Sequence, residues 1–205
     1  MTGYDADGLL AEWGRGDMCR IFRLLRQLDD LLRRMHADGV RHRQRYKMKK
    51  AADRIRLKVR NLVDEVHKRL AKWLCENYRC VLIPEFQTSR MVRRGQRRLN
   101  RRSVRGMLTW GHYRFRQRLL SKAREYPWCR VIVTQEPYTS KTCGACGWIN
   151  HRLGGSKVFR CRQCAFVADR DANGARNILL RHLTLHCRIE RAAALPQPLE
   201  ALPLH

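Results

Sequence analysis

Four cysteines carry the plainest chemistry in this sequence of 205 residues. They stand as two Cys-x-x-Cys pairs, Cys143/Cys146 and Cys161/Cys164, with fourteen residues between the pairs. Each pair can offer two thiolates from one tight turn. Together they complete a tetrahedral zinc ion with no ligand position left open, which makes the expected zinc structural and the segment a zinc ribbon. Gly144 and Gly147 let the backbone turn beneath the metal. A redox Cys-x-x-Cys needs only one pair. Residues 148–150 and 157–160 are predicted to pair as strands, with 153–156 as their turn. The metal stiffens an insert too small to fold alone. The remaining cysteines, Cys19, Cys75, Cys80, Cys129 and Cys187, stand apart. An odd total and the lack of a secretory pattern in residues 1–13 favour a reducing compartment and a metal over disulfides.

Two carboxylates are the next candidates. Glu85 follows the unbroken apolar run Cys80-Val81-Leu82-Ile83 and Pro84; Asp171 opens a helical pattern. Such groups can hold a hard cation. Each also has a plainer reading, Glu85 as a strand-end surface residue and Asp171 as a carboxylate favoured by the helix dipole.

Charge then narrows the partner. Lys and Arg total 44 against 18 acidic residues, a formal net charge of +26. That excess opposes compaction unless a polyanion relieves it, and counterion release makes nucleic acid the natural one. No apolar run reaches the roughly 18 residues needed to cross a membrane. The densest stretch holds Arg93, Arg94, Arg97, Arg98, Arg101, Arg102 and Arg105. Lys141 and Arg176 are further candidate contacts. Trp110, Tyr113 and Phe115 either stack on bases or pack in the core.

The elements that must position these groups follow from periodicity. Residues 1–13 read as a hairpin turning at Asp7-Gly8. Asp17 sits where an N-cap belongs, and Ile21, Leu24, Leu25, Leu28, Leu31, Leu32 and Met35 mark a helix that Gly39 can end. A second helix is marked by Met48, Ala52, Ile55, Val59, Leu62, Val66, Leu70 and Trp73, with a basic face from Lys47 to Arg69. Residues 80–83 read as a buried central strand. A third helix is predicted over about 103–125, with Val104, Leu108, Phe115 and Leu119 on one side and Gly111 allowing close packing. Residues 130–134 form another strand. A last helix runs from Asp171 to about Leu185, and a loose tail follows from His186. Strands interleaved with long helices make an α/β class.

The order of these pieces resembles one family. Glu85 after an apolar strand, a basic helix, Tyr138-Thr139-Ser140-Lys141-Thr142-Cys143-Gly144-Ala145-Cys146-Gly147, then Cys161 to Cys164, then Asp171-Ala172-Asn173-Gly174-Ala175-Arg176-Asn177-Ile178 is similar to the C-terminal half of the TnpB/Fanzor proteins. These are transposon-encoded RNA-guided DNA endonucleases. Trp13-Gly14-Arg15-Gly16-Asp17 and Trp148-Ile149-Asn150-His151-Arg152-Leu153-Gly154-Gly155 resemble the eukaryotic Fanzor branch most.

The resemblance implies an RNase H-like, RuvC-type α/β fold with an inserted zinc ribbon. It implies a nuclease core over 1–137, the ribbon over 138–168, a final core helix over 169–185 and the tail over 186–205. It also implies magnesium held by three carboxylates, with Glu85 the second and Asp171 the third. The family's first carboxylate lies on a strand upstream of the hairpin that residues 4–8 resemble. The chain is therefore expected to be an N-terminally truncated copy, binding DNA and guide RNA but cutting weakly or not at all alone. Asp5 or Asp7 is the candidate substitute for that carboxylate, but both read as turn residues. Two other readings stand beside this one: a working magnesium-dependent endonuclease completed by parts supplied elsewhere, and a non-enzymatic zinc-ribbon adaptor. The expected location is the nucleus in a eukaryotic host and otherwise the cytoplasm, without secretion.

Overall fold

The computed structural model describes residues 1–86, 88–93, 100–134 and 138–193. In chain order the elements are β1 (Thr2–Tyr4), β2 (Leu10–Glu12), α1 (Arg15–Met35), α2 (His42–Asn77), β3 (Cys80–Pro84), α3 (Thr88–Met91), α4 (Arg101–Trp110), α5 (His112–Ala123), β4 (Arg130–Thr134), β5 (Val158–Arg160), β6 (Val167–Asp169) and α6 (Arg170–Ala193). The chain is mixed α/β, in two compact units. One comprises Met1 and residues 12–133, the other residues 2–11 and 134–205.

In the first unit the 36-residue helix α2 organises two cores. Its Ala52, Val59 and Val63 pack with Ile21, Leu25 and Leu28 of α1. Further along, its Leu70, Ala71 and Cys75 pack with Val81 of β3, Phe115 and Leu119 of α5, and Cys129. Each Val, Leu, Ile or Phe among them contributes roughly 1.5–3 kcal/mol when fully buried. Arg118 of α5 reaches Asp64 of α2 at 3.2 Å, and Arg114 reaches the same carboxylate at 3.2 Å. The basic residues of α2 lie on its other side: Lys47, Lys49, Lys50, Arg54, Arg56, Lys58, Arg60, Lys68 and Arg69 are all exposed.

Several expectations change. Helix α1 starts at Arg15 on Gly14, so Asp17 lies in its first turn, where its charge still suits the dipole. The helix ends at Met35 with His36 as its C-cap, and Gly39 lies in the loop beyond. The single helix predicted over 103–125 is two. Gly111 adopts a left-handed conformation (φ 60°, ψ 61°) that breaks α4 from α5, a backbone state other residues enter at a cost. Leu108, in α4, faces solvent although Val104 one turn earlier is buried. Asn100 caps α4, accepting from the Ser103 N–H at 2.7 Å. Strand β3 is not central. Among the described residues it pairs with β4 alone, and Cys80 is exposed. Among the described residues the strands form three separate two-stranded sheets, β1–β2, β3–β4 and β5–β6, and no larger sheet joins them.

Candidate metal centre

In the second unit the four cysteines converge. Their sulfurs all lie within 4.8 Å of one another. Cys143 Sγ is 3.7 Å from Cys164 Sγ, and Cys146 Sγ is 3.6 Å from Cys161 Sγ. A tetrahedron with Zn–S bonds of about 2.3 Å has S···S edges of about 3.8 Å, so the cluster is sized for such an ion. Among the described residues it is the one group of three or more His, Cys, Asp or Glu side chains close enough to share a metal.

The two knuckles repeat one local design. The Cys143 N–H donates to the Trp148 carbonyl at 2.7 Å, and the Cys161 N–H donates to the Phe166 carbonyl at 2.8 Å. Each second N–H along points at the leading sulfur: Ala145 to Cys143 and Gln163 to Cys161, both at 3.4 Å. These donors stabilise thiolate. Burial pushes the Cys161 thiol up, but N–H groups of Cys164 and Gln163 and bonds from Cys146 and Cys164 outweigh it and bring it down to about 7. Cys164 is pushed up to about 12. There the Phe166 N–H works to lower it, and burial with the neighbouring thiols prevails. Four sulfurs this close ionise together only around a cation.

Beneath the sulfurs, Phe159, fully buried, and Leu153 form a small core with Cys143 and Cys161, closed by Trp148 and Phe166. The strand pairing differs from the predicted one. Residues 148–150 do not pair with 157–160; Ile149 bridges to Thr142, and β5 pairs antiparallel with β6. Each Cys-x-x-Cys thus folds back on the residues just after it, a shorter closure than the predicted one.

The knuckle repeat exposes one mismatch. Gly147 follows Cys146 with φ 79°, while Ala165 follows Cys164 with φ 57°. A Cβ in the left-handed region costs roughly 1–2 kcal/mol. Ala165→Gly is therefore expected to stabilise the metal-loaded ribbon by about 1 kcal/mol, read as a higher chelator concentration at the midpoint of metal loss. A lowered or unchanged midpoint would count against strain at this residue.

Helix α6 holds the first knuckle through polar side chains that periodicity did not single out. Asn173 Oδ1 accepts from the Gly144 N–H at 3.0 Å, and its Nδ2 donates to the Thr142 carbonyl at 2.7 Å. Asn177 Nδ2 donates to the Thr142 and Thr139 carbonyls at 2.7 and 2.8 Å. Arg176, a candidate nucleic-acid contact, donates to the Gly144 carbonyl. Asn173 and Asn177 are buried. The detectable signal was two asparagines at i and i+4 inside a helix, where Asn is a poor helix former and needs another reason to be there. The helix also runs on to Ala193, past Leu185 and into the stretch read as tail.

The carboxylates are placed as follows. Asp169 caps α6, its Oδ1 accepting from the N–H groups of Asp171 at 2.8 Å and Ala172 at 3.0 Å. That leaves Asp171 outward and exposed, in contact with Arg170 at 3.1 Å. Glu85 is exposed just beyond β3, in the other unit. Asp5 Oδ1 accepts from the Leu9 N–H at 2.8 Å, a turn role.

Of the basic candidates, Arg93, Arg101 and Arg102 are exposed, and Arg102 lies over the Phe22 ring at 5.2 Å. Arg94, Arg97 and Arg98 lie outside the described residues. Arg105 belongs to the fold, its guanidinium gripping both oxygens of Asp29. Lys141 stands over Tyr138 at 5.8 Å. Trp110 and Phe115 are core residues, and Tyr113 is 64% exposed. Among the described residues no helix is long and apolar enough to cross a membrane.

The four cysteines fall within a stretch that is similar to known proteins. Residues 112–178 match the family model described as Cas12f1-like, TNB domain. The putative transposase A625R of Paramecium bursaria Chlorella virus 1 is 39% identical over 138 residues, 67% of this chain and 31% of that protein. The TnpB-like protein L79 of Acanthamoeba polyphaga mimivirus is 29% identical over 137 residues, 67% of this chain and 26% of that protein. A solved cryo-EM structure, the Cas12f1–sgRNA–target DNA complex, superposes with a TM-score of 0.51 over 80% of this chain and 42% of that one. Its identity is 20%, so that likeness concerns fold alone. The chain is thus related to the TnpB-like and Cas12f1-like transposases and nucleases. It spans roughly a third or less of the length of these curated relatives. The matches do not single out the Fanzor branch.

Proposed function

We propose that this chain binds DNA and guide RNA as part of a TnpB-like, transposon-encoded RNA-guided endonuclease, with zinc in the four-cysteine site. The carrying observation is a metal-sized sulfur cluster inside the residues that match the TNB domain model, on a chain of net charge +26. Four thiolates select zinc among common divalent ions, and a full sulfur shell makes it structural. The Cas12f1 structure of similar fold carries guide RNA and target DNA. An RuvC-type core and a place near the Fanzor branch extend the same reading. In a eukaryotic host such a protein acts in the nucleus.

In this reading Glu85 and Asp171 are magnesium ligands. Both carboxylates are exposed, and oxygen donors of this kind suit magnesium. Bound magnesium would activate water and stabilise the leaving oxygen of a phosphodiester. Within this chain Asp169 takes the capping role and leaves Asp171 at the surface beside Arg170, whereas Asp5 is occupied in the hairpin turn. Two carboxylates hold less charge than three against paired dications. The chain alone is therefore expected to bind nucleic acid without cutting it efficiently.

The test is a salt titration of binding to short DNA and RNA, run with plasmid cleavage in magnesium. Affinity should fall steeply with salt and depend little on sequence. Lys49, Lys50, Lys58 and Arg60 are exposed on α2. Each phosphate that a basic side chain neutralises adds roughly 0.9 to the log–log salt slope, so changing all four to Gln should reduce that slope by up to about 3.6. An unchanged slope removes α2 from the interface. Efficient cutting that Glu85→Ala and Asp171→Ala both abolish would overturn the claim of weak activity.

A further inference from the structure

We infer that Asn173, Arg176 and Asn177 form a clamp through which filling of the four-cysteine site fixes the first turn of α6, and with it Asp171. The three side chains occur at i, i+3 and i+4, so they share one helix face. All of their bonds reach one short loop, residues 139–144. Asn173 grips the backbone on both sides of Cys143: the Thr142 carbonyl before it and the Gly144 N–H after it. The shape of that loop is the shape of the first knuckle.

The fit is close. A Cβ added to Gly144 would stand 2.9 Å from Asn173 Oδ1 and 2.7 Å from Arg176 Nη1, so a side chain there would push both groups off the knuckle backbone. On the helix side, Gly174 lies against Ser140, where a Cβ would stand 3.6 Å from the Ser140 Cα. Asn173 is 2% exposed and Asn177 is 7% exposed. Their amides have no solvent to turn to if the knuckle moves, and an unsatisfied buried amide is costly.

Two consequences follow from linkage. Metal holds Cys143 against Cys164, Cys146 and Cys161, and so holds the Thr142 carbonyl and Gly144 N–H where the asparagines expect them. Conversely, the clamp presets the knuckle for the metal. Such coupling acts equally in both directions. Asp171 is two residues before Asn173, in the turn that Asp169 caps. Its position is set by where α6 begins. Asn173 and Asn177 are thus positioning residues: they touch neither metal nor substrate. The claim about α6 stands on this geometry, and its relevance to catalysis rests on the reading of Asp171 as a magnesium ligand.

The experiment uses the full chain. Amide hydrogen exchange is measured before and after zinc is stripped with a chelator, and zinc release is timed with a chromophoric chelator. In the parent, stripping zinc should deprotect the amides of residues 171–178 while those of α2 keep their protection. Asn173→Ala and Asn177→Ala, with all four cysteines intact, should each release zinc about tenfold faster. They should also alter the thiolate charge-transfer spectrum of the cobalt-substituted protein. Asn173→Asp keeps the acceptor for Gly144 but loses the donor to Thr142, and should fall between parent and alanine. Unchanged exchange in α6 after stripping would overturn the clamp, as would parental zinc release from Asn173→Ala. If the alanine variants fail to fold, the stripped parent still decides. Asp171→Ala should leave zinc release at the parental rate. Its own role is read separately, as loss of manganese binding by electron paramagnetic resonance. Retained manganese binding would sink the reading of Asp171 and leave the clamp standing.

Discussion

Replacing Cys143 by serine is expected to lower bound zinc from one ion per chain to none and to unfold the ribbon. Serine is nearly isosteric, but its hydroxyl stays protonated at neutral pH and is a poor zinc ligand. Cys143 is 2% exposed, and its sulfur sits 3.7 Å from Cys164 Sγ. The core beneath is small. Leu153 and Phe159 contribute roughly 1.5–3 kcal/mol each by burial, whereas structural zinc supplies apparent binding energies on the order of 10–16 kcal/mol in small fingers. Without the metal, the entropy of ordering β5, β6 and two knuckles has no sufficient opponent. The packing of α1 on α2 is built from other residues and should survive. Elemental analysis of reduced protein checks the metal, and amide exchange over residues 139–169 checks the fold. Full zinc content in Cys143→Ser would remove Cys143 from the ligand set.

The parts of this molecule that could be read from sequence are those whose cause is local. A Cys-x-x-Cys pair defines its own knuckle, so the metal centre was visible from spacing alone. Helix α2 was visible because one apolar stripe repeats through most of its length. The misreadings occur where a distant partner decides. Arg105 reads as one more basic residue until Asp29 of α1 is seen to grip it. Gly111 could equally have been a close-packing site or a break, and its φ of 60° is what separates those readings. The apolar run at β3 matched a central strand, yet helices α2 and α5 cover it and, among the described residues, only β4 pairs with it. The clamp was hidden for the same reason. Asn173 and Asn177 have their meaning in the carbonyls of Thr139 and Thr142, which no periodicity displays.

Acid is expected to destabilise the unit built on α2, and His67 is one of two histidines that cause it. Its ring is fully buried, 5.4 Å from the Trp110 ring and 5.2 Å from Phe115, and among the described residues neither ring nitrogen has a hydrogen-bond partner. Burial lowers its pKa from 6.5 to about 4, helped by the charges of Arg114 and Arg118 and by nearby His112, and opposed by Asp64. His112 is likewise lowered to about 4, by burial and then by the Met1 ammonium. The sign follows from proton binding. Between pH 6.5 and 4 the unfolded chain holds a proton on His67 that the folded chain does not. Stability is therefore full above about pH 6.5 and is lost as pH falls towards 4. A shift of this size corresponds to a loss on the order of 3 kcal/mol from His67. That is a large share of the roughly 5–15 kcal/mol typical of a domain. Urea unfolding followed by tryptophan fluorescence at about pH 7.5, 6, 5 and 4.5 spans the window between the unfolded and folded pKa values. Zinc loss also occurs in acid, so the decisive comparison is with His67→Leu. That variant keeps the four cysteines and most of the volume, and it removes two unsatisfied nitrogens from the core. It should match or exceed the parent at about pH 7.5, and its stability should fall less between about pH 6.5 and 4.5. Equal acid losses in parent and variant would show that His67 is not the group responsible.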